Sequence, residues 1–408
     1  MRLLFLTAET CPTFRADVAV LFGKYLPRHG VLSDIVTGGT PGQTGSVEWG
    51  GGETLLCDIS GGQAKKHIKT LLHGIKHLFA ADRLRYQAIQ VRDMPVLAAF
   101  GLLAARFKGL PFYYWMSFPM PEGQIMLARE RGLSAGLMKF LFPWVSGRVG
   151  RVLLYHVVLP HADHIFVQSE RMLEDMASRG IASAKMTPVP MGVDIEDIQL
   201  DGLRPTADPR LAGRRVLVYL GIQDRPRRIE LMFEMLALVK KKVPDVLLVL
   251  VGDTEDKVHR SWLRQQSIAA GVSDNLLWTG WLPIKEGWRY VMAAEVGLSP
   301  FPRGFLLDSA SPTKVPEYLA LGIPVVCNDN PDQERVIGDS GAGLCVPYTA
   351  ERFADAVMSI LESDDGQRKA MRDGGRLHVL HHRDYRMLGE KLASNYKALL
   401  TPYARVNE

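Results

Sequence analysis

The feature that most narrows the fold is an alternation sustained from end to end, in which short apolar runs of strand type are separated by longer stretches of helical spacing. In the first half the runs are Leu3–Thr7, Leu32–Thr37, Thr54–Cys57, Ala88–Val91, Phe112–Trp115, His164–Gln168 and Met186–Val189. Helical patterns such as Ala16–Arg28, Lys65–Phe79 and Pro95–Phe107 fall between them. A strand that is apolar on both faces must be covered on both faces, and a helix between strands is the connection that parallel pairing requires. The pattern therefore predicts parallel sheets sandwiched by helices. It breaks at 194–213, a polar, turn-rich stretch without periodicity, and restarts with VLVYLG, LLVLVGD, LLWTGW, EVGLSP, PVVCND and AGLCVP. Single cores rarely grow past about 250–300 residues, so 408 residues with this break predict two doubly wound domains, 1–200 and 201–382. The amphipathic end of the chain, from Arg383 to Leu400, predicts a last helix.

Composition excludes several classes. A net charge of +5 is small for this length, and no zinc-finger or RNA-binding pattern occurs, so a nucleic-acid partner is not expected. Four cysteines, Cys11, Cys57, Cys327 and Cys345, lack metal-binding spacing and suit a reducing cytoplasm. The apolar start, Met1–Ala8, is cut short by Glu9 and Pro12 and reads as a first strand, not a signal peptide. No apolar run is long enough to span a membrane. Phosphate loops of the Gly-x-x-x-x-Gly-Lys-Ser/Thr type, dinucleotide glycine fingerprints and nucleophile elbows are absent.

Open α/β sheets bind ligands beyond the carboxyl ends of their strands, so the loops that follow strands hold the candidate chemistry. SPTKVPEYLALGIPVV, Ser311 to Val326, reads as a loop entering a helix at Pro312, with Glu317 one turn in and stop signals at Gly322 and Pro324. Backbone N–H groups at that entry, beside Lys314, suit a phosphate, and a carboxylate a turn further in can hold a sugar hydroxyl. After VLVYLG come Arg225, Arg227 and Arg228 in IQDRPRRIE, expected to open a helix and to neutralise a diphosphate. TGWLP offers Trp281 as a stacking face beside Leu282, and VGD offers Gly252 for close backbone approach. In the first domain Arg92 and Asp93 end one strand, and Ser117 and Glu122 follow another.

Ser-Pro-Thr-Lys followed by Glu-Tyr-Leu-Ala-Leu-Gly-Ile-Pro-Val-Val, together with VPMGVD at Val189–Asp194, resembles the family 4 retaining glycosyltransferases of the GT-B fold. The resemblance covers most of the chain and is strongest over Val189–Pro347. It implies two Rossmann-like domains facing a central cleft, with the C-terminal helix (383–408) crossing back to the first domain. It also implies a metal-independent, cofactor-free transferase that uses a UDP- or GDP-sugar and a glycan or polyprenyl-linked acceptor. By position, Glu317 would grip the ribose. Lys314 with Arg227 or Arg228 would face the diphosphate, and Ser311, Thr313, Gly252, Trp281, Leu282, Glu334 and Arg225 would complete the donor side.

The chain departs from the family pattern in four places. Counting eight residues back from Glu317 reaches Ser309, beside Asp308, where the family has a glutamate that contacts the donor sugar. Ile222 stands where an arginine is usual. The glycine-rich turn after the first strand is replaced by ETCPTFRAD, with Thr13 and Arg15 as the polar substitutes, and Ser117 or Glu122 stands in for a cleft histidine. These losses admit a second reading, a GT-B scaffold without catalysis, and donor turnover separates the two. Finally, GLMKFLFPWVSGRVGRVLLYHVVL, 136–159, joins large apolar residues to Lys139, Arg148 and Arg151 and has two readings: a long buried helix packed on the first sheet, or, for a polyprenyl-linked acceptor, the stretch that touches the inner face of a membrane.

Overall fold

The computed structural model describes residues 1–13, 15–39, 47–132, 136–199 and 202–404. The chain divides into two compact units, Met1–Met191 with Tyr385–Glu408, and Gly192–Asp384. The border expected at 200/201 lies outside the described residues. The division falls earlier because Val193 already bridges to Asp384, and Val193 and Ile195 bury themselves in the second unit's core.

The first unit is built on a seven-stranded sheet in the order β3-β2-β1-β4-β5-β6-β7. Its strands are β1 (Arg2–Cys11), β2 (Leu32–Gly39), β3 (Thr54–Cys57), β4 (Ala88–Arg92), β5 (Phe112–Met116), β6 (His164–Val167) and β7 (Met186–Pro188). Every ladder in it is parallel. Side chains of β1 sort by parity, as a strand's geometry demands. Leu4 and Leu6 enter one core layer with Ile89 and Val91, while Leu3 and Phe5 enter the opposite layer with Trp115 and Phe166. That second layer is closed by the last helix, Tyr385–Ala404, whose Tyr385, Leu388, Leu392 and Tyr396 recur at helical spacing on its buried face. The segment Ala16–Arg28 is helical as expected but wound mostly as a π-helix over Asp17–Tyr25.

The second unit carries six parallel strands in the order β10-β9-β8-β11-β12-β13. They are β8 (Arg215–Leu220), β9 (Val246–Val251), β10 (Leu276–Gly280), β11 (Val296–Ser299), β12 (Val325–Asn328) and β13 (Gly343–Val346). In β9 every residue is buried, and each such Val or Leu contributes about 1.5–3 kcal/mol by leaving water. In both sheets the chain turns outward from its first strand, then returns to the first strand's other side. The order therefore reverses between β1 and β4 and between β8 and β11, which are the positions where open sheets gather ligands.

Two local expectations are corrected. Arg225–Arg227 form a 3-10 turn, and Arg228 takes a left-handed φ of +47°, so the following α-helix starts only at Leu231. The Ser-Pro-Thr-Lys helix begins at Lys314, after Pro312, and runs only to Ala320, which puts Glu317 in its first turn. With Lys314–Ala320 only seven residues long, side-chain charge matters more than helix dipole there.

Candidate functional site

Beyond its last pairing with β11, at Gly297, β8 runs on to Leu220. The gap so opened is filled by Tyr318, from the helix Lys314–Ala320. The backbone N–H of Leu220 donates to its hydroxyl at 2.8 Å, and that hydroxyl donates to Leu298 O at 3.3 Å. Gly297 makes room for the ring, since a Cβ there would stand 2.5 Å from Tyr318 Cδ2. Tyr318 thus pins the start of its helix to the switch point. This delivers Lys314 and Glu317 to the loop that leaves β8.

Lys314 runs beneath that loop. A Cβ on Gly221, whose φ is +146°, would lie 2.8 Å from Lys314 Cε, and the ammonium sits 5.1 Å from the centre of the Tyr219 ring. Arg227 descends from the 3-10 turn with its guanidinium 4.7 Å over Phe301, and its Nη1 is buried without a hydrogen-bond partner. Burial, then the nearby Arg227, lowers the Lys314 ammonium from its ordinary 10.5 to about 7, with Glu317 opposing. Burial likewise raises the Glu317 carboxyl to about 7, against Lys314 and the neighbouring Trp288 indole. Two cations held together with too little negative charge create a demand for an anion.

The surrounding loops are clamped. Asn328 grips Phe301 reciprocally, accepting from its N–H at 2.6 Å and donating to its carbonyl at 2.8 Å, which fixes the platform under Arg227. Gln223 is buried, donates to Gly252 O at 2.6 Å and leaves its own Oε1 unpartnered. At the mouth of the Ser-Pro-Thr-Lys loop, Ser311 donates to Asp332 at 2.8 Å and accepts from Arg383 at 3.1 Å. Arg383 and Asp332 form a buried ion pair at 2.7 Å. The Ser311 hydroxyl is therefore committed to holding the loop.

The expected donor-side residues divide accordingly. Lys314, Glu317, Arg227 and Gly252 converge, with Thr313 half-buried at the helix start. Gly252 serves packing, since a Cβ there would meet Gly221 O at 2.3 Å. Arg228 is exposed and turned to Glu230 at 3.7 Å, and Arg225 pairs with Asp256 at 3.3 Å, so neither shares the buried corner. The left-handed backbone at Arg228 is the physical reason: it rotates consecutive arginines to opposite sides. Trp281 is 55% exposed, Leu282 packs partly into the core, and Glu334 is exposed. Asp308 is gripped by Arg303 at 2.8 Å, and the buried Ser309 donates to Phe305 O at 2.9 Å. The chain thus keeps an acid near the position of the missing glutamate, held on an arginine. Residue-type reasoning missed Tyr318, Trp288, Phe301 and the Arg383–Asp332 pair, whose parts lie far apart in the chain.

In the first unit, Thr13, Arg15, Arg92, Asp93 and Ser117 form one chain of contacts at the carboxyl ends of β1, β4 and β5. The Thr13 hydroxyl accepts from Arg15 N at 3.1 Å, and Arg15 and Arg92 both reach Glu9, at 3.3 and 3.1 Å. Arg92 also meets Asp17 at 2.9 Å and Asp93 at 3.3 Å. Asp93, at a left-handed φ of +56°, accepts from Ser117 N at 2.8 Å and from the Ser117 hydroxyl. Burial pushes the Asp93 carboxyl up, against Arg92 and Ser117. With three carboxylates around it, Arg92 has its charge met internally and acts as a clamp. Glu122 stands apart from this chain of contacts, its carboxylate oxygens buried beside Tyr155, whose hydroxyl is pushed up by burial and then by the Glu122 charge.

Two parallel, doubly wound units are the architecture of the GT-B fold. Comparison with known proteins agrees. Residues 18–192 match the family described as "Glycosyl transferase 4-like domain", and 208–378 match "Glycosyl transferases group 1". A phosphatidyl-myo-inositol mannosyltransferase of Mycolicibacterium smegmatis is 31% identical over 182 residues, a stretch covering 43% of this chain and 43% of that relative. The sucrose-phosphate synthase of Thermosynechococcus elongatus superposes with a TM-score of 0.74 at 18% identity, covering 98% of this chain and 100% of that one. Anabaena HepE, solved in complex with UDP-glucose, superposes with a TM-score of 0.65 at 14% identity, covering 98% and 100%. The chain belongs to the family 4 glycosyltransferases of the GT-B fold.

Proposed function

We propose that this chain is a retaining glycosyltransferase that moves a sugar from a nucleoside diphosphate donor to a glycan or lipid-linked acceptor in polysaccharide or oligosaccharide assembly. The observation that carries this reading is the buried Lys314, one helical turn from Glu317, beside the half-buried Arg227, whose Nη1 is buried without a hydrogen-bond partner. The donor's diphosphate supplies the missing charge, and the ribose hydroxyls donate to the Glu317 carboxylate. That HepE, a neighbour in fold, was solved in complex with UDP-glucose supports this reading.

The chemistry follows from where charge develops. As the bond between the anomeric carbon and the diphosphate oxygen breaks, negative charge grows on the leaving group. Lys314 and Arg227 meet that charge in a site shielded from water, where fixed cations act most strongly. The acceptor oxygen bonds to the anomeric carbon on the face the diphosphate leaves, and its proton passes to the departing diphosphate. No protein nucleophile is needed. Positioning and charge stabilisation carry the rate. Divalent metal has no assigned part in this scheme.

The test is turnover against a panel of UDP- and GDP-sugars, with the anomeric configuration of the product read by NMR. Transfer with retention supports the proposal. Inversion would overturn the mechanism, and a donor that binds without being consumed under any acceptor would favour the scaffold reading.

A further inference from the structure

The exposed apolar surface of this chain is strongly localised. Among the described residues, most of the large hydrophobic side chains left in solvent fall within residues 68–152 of the first unit. Fourteen of them lie on three neighbouring helices, Gln63–Ala80, Pro95–Lys108 and Leu137–Val152, and the other three are Leu84 in a loop and Met126 and Leu127 on the helix Met120–Arg131. The helices touch: Gly74 of the first lies against Leu97 of the second, Gly150 of the third against Pro95, and the His67 ring lies 5.9 Å from that of Phe142.

Each helix turns an apolar stripe outward at helical spacing. On Leu137–Val152 the stripe is Leu137, Leu141, Phe142, Val145, Val149 and Val152, with Leu137 65% and Phe142 54% exposed. On Pro95–Lys108 it is Val96, Phe100, Leu103 and Phe107, the last 76% exposed. Ile68, Leu72 and Phe79 continue it on Gln63–Ala80. The opposite sides of the first two helices pack into the core through Leu78, Leu97, Leu102 and Ala105, and the third helix buries Pro143, Gly147 and Gly150. The sequence placed this surface on 136–159 alone. The structure ends it at Val152, because Leu154, Val158 and Leu159 pack into the core, and adds the two other helices.

Charge identifies the occupant. The three helices contain no Asp or Glu and nine Lys or Arg, against a whole-chain charge of +5, so the remainder of the chain is net negative. Lys65, Lys76, Lys139, Arg148 and Arg151 are exposed, and Arg148 stacks over Trp144 at 5.2 Å. We propose that this three-helix face docks on an anionic lipid bilayer, its apolar stripes entering the acyl boundary and its cations meeting phosphate headgroups. A fluid headgroup layer offers negative charge at any register, which suits cations spread over three helices. No described helix is long and apolar enough to cross a membrane, so the contact is peripheral. The proposal rests on the first unit and is independent of the donor-site reading.

The experiment is co-sedimentation of the full chain with vesicles of phosphatidylcholine alone or mixed with phosphatidylglycerol. Phosphatidylglycerol should raise binding at least roughly tenfold, and added salt should weaken it. Leu141→Ser with Phe142→Ser, and separately Lys139→Glu with Arg151→Glu, should each lower binding about tenfold or more, with melting temperature and UDP affinity unchanged. Equal binding to both vesicle types, or full binding by both double variants, would overturn the proposal. So would the absence of vesicle binding together with a dimer, seen by light scattering, that Leu141→Ser with Phe142→Ser abolishes.

Discussion

Lys314 should make donor binding depend on pH in a direction that the geometry dictates. In the free protein its ammonium loses its proton near pH 7, because burial and Arg227 disfavour the charge. A bound diphosphate reverses that preference and draws the pKa back toward the ordinary range. Above pH 7, binding must therefore take a proton from solution, and the dissociation constant of UDP should rise by up to about tenfold per pH unit, or about 1.4 kcal/mol. Glu317 complicates the range near pH 7, since its carboxyl also titrates there and ribose contact favours its ionised form. The clean window is pH 8 to 9, where Glu317 is ionised with or without ligand and phosphate second ionisations, near pH 6, are complete. Isothermal titration calorimetry in two buffers of different ionisation enthalpy should report uptake approaching one proton there. Lys314→Met should abolish both the uptake and the slope. The variant should also fold at least as well as the parent. The cost of burying the charge is full below pH 7 and is relieved as pH rises toward the unfolded value, so removing the ammonium removes that cost. A flat affinity between pH 8 and 9 with no proton uptake would refute the reasoning.

Arg227→Met should weaken UDP binding roughly ten- to a hundredfold, because one charge-assisted contact is lost, whereas Arg228→Ala should change it less than about threefold because Arg228 faces solvent and Glu230. Asp332→Asn leaves Arg383 buried beside a neutral group, and differential scanning calorimetry should show about 3–5 kcal/mol lost from the second unit. Gly297→Ala drives a methyl into Tyr318; overpacking of about 1–3 kcal/mol should lower the melting temperature and weaken UDP binding by shifting the helix that carries Lys314.

Strands and their sides were legible because apolar runs report burial directly. β3 falls at Thr54–Cys57 as its residues suggest, and the six runs after residue 213 each become a strand. The candidate site was legible only where one residue type suggests the chemistry, as with Lys314, Glu317 and Arg227, which the structure brings near one another. Choosing between Arg227 and Arg228 required the backbone, since a left-handed φ at Arg228 has no mark in an Arg-Arg pair. Ser311 looked like a ligand contact because its hydroxyl precedes the motif lysine. Its true partners, Asp332 and Arg383, are distant in sequence, and no local pattern joins them. Arg92 and Asp93 were visible as a charged strand end, but only packing brings Asp17 and Glu9 to neutralise the arginine. The exposed apolar stripes on the first two helices were hidden for a related reason. Apolar residues at helical spacing look alike whether they face a core or solvent, and the exposed positions emerge once the buried side is known.

The most direct measurement is the ratio of UMP to UDP dissociation constants in the parent chain and in Lys314→Met with Arg227→Met. The second phosphate should strengthen binding by a factor of about a hundred or more in the parent, and the double variant should bring the two ligands to near equality. A preference for UDP that survives the loss of both cations would show that the diphosphate lies elsewhere, and the account of this site would fall.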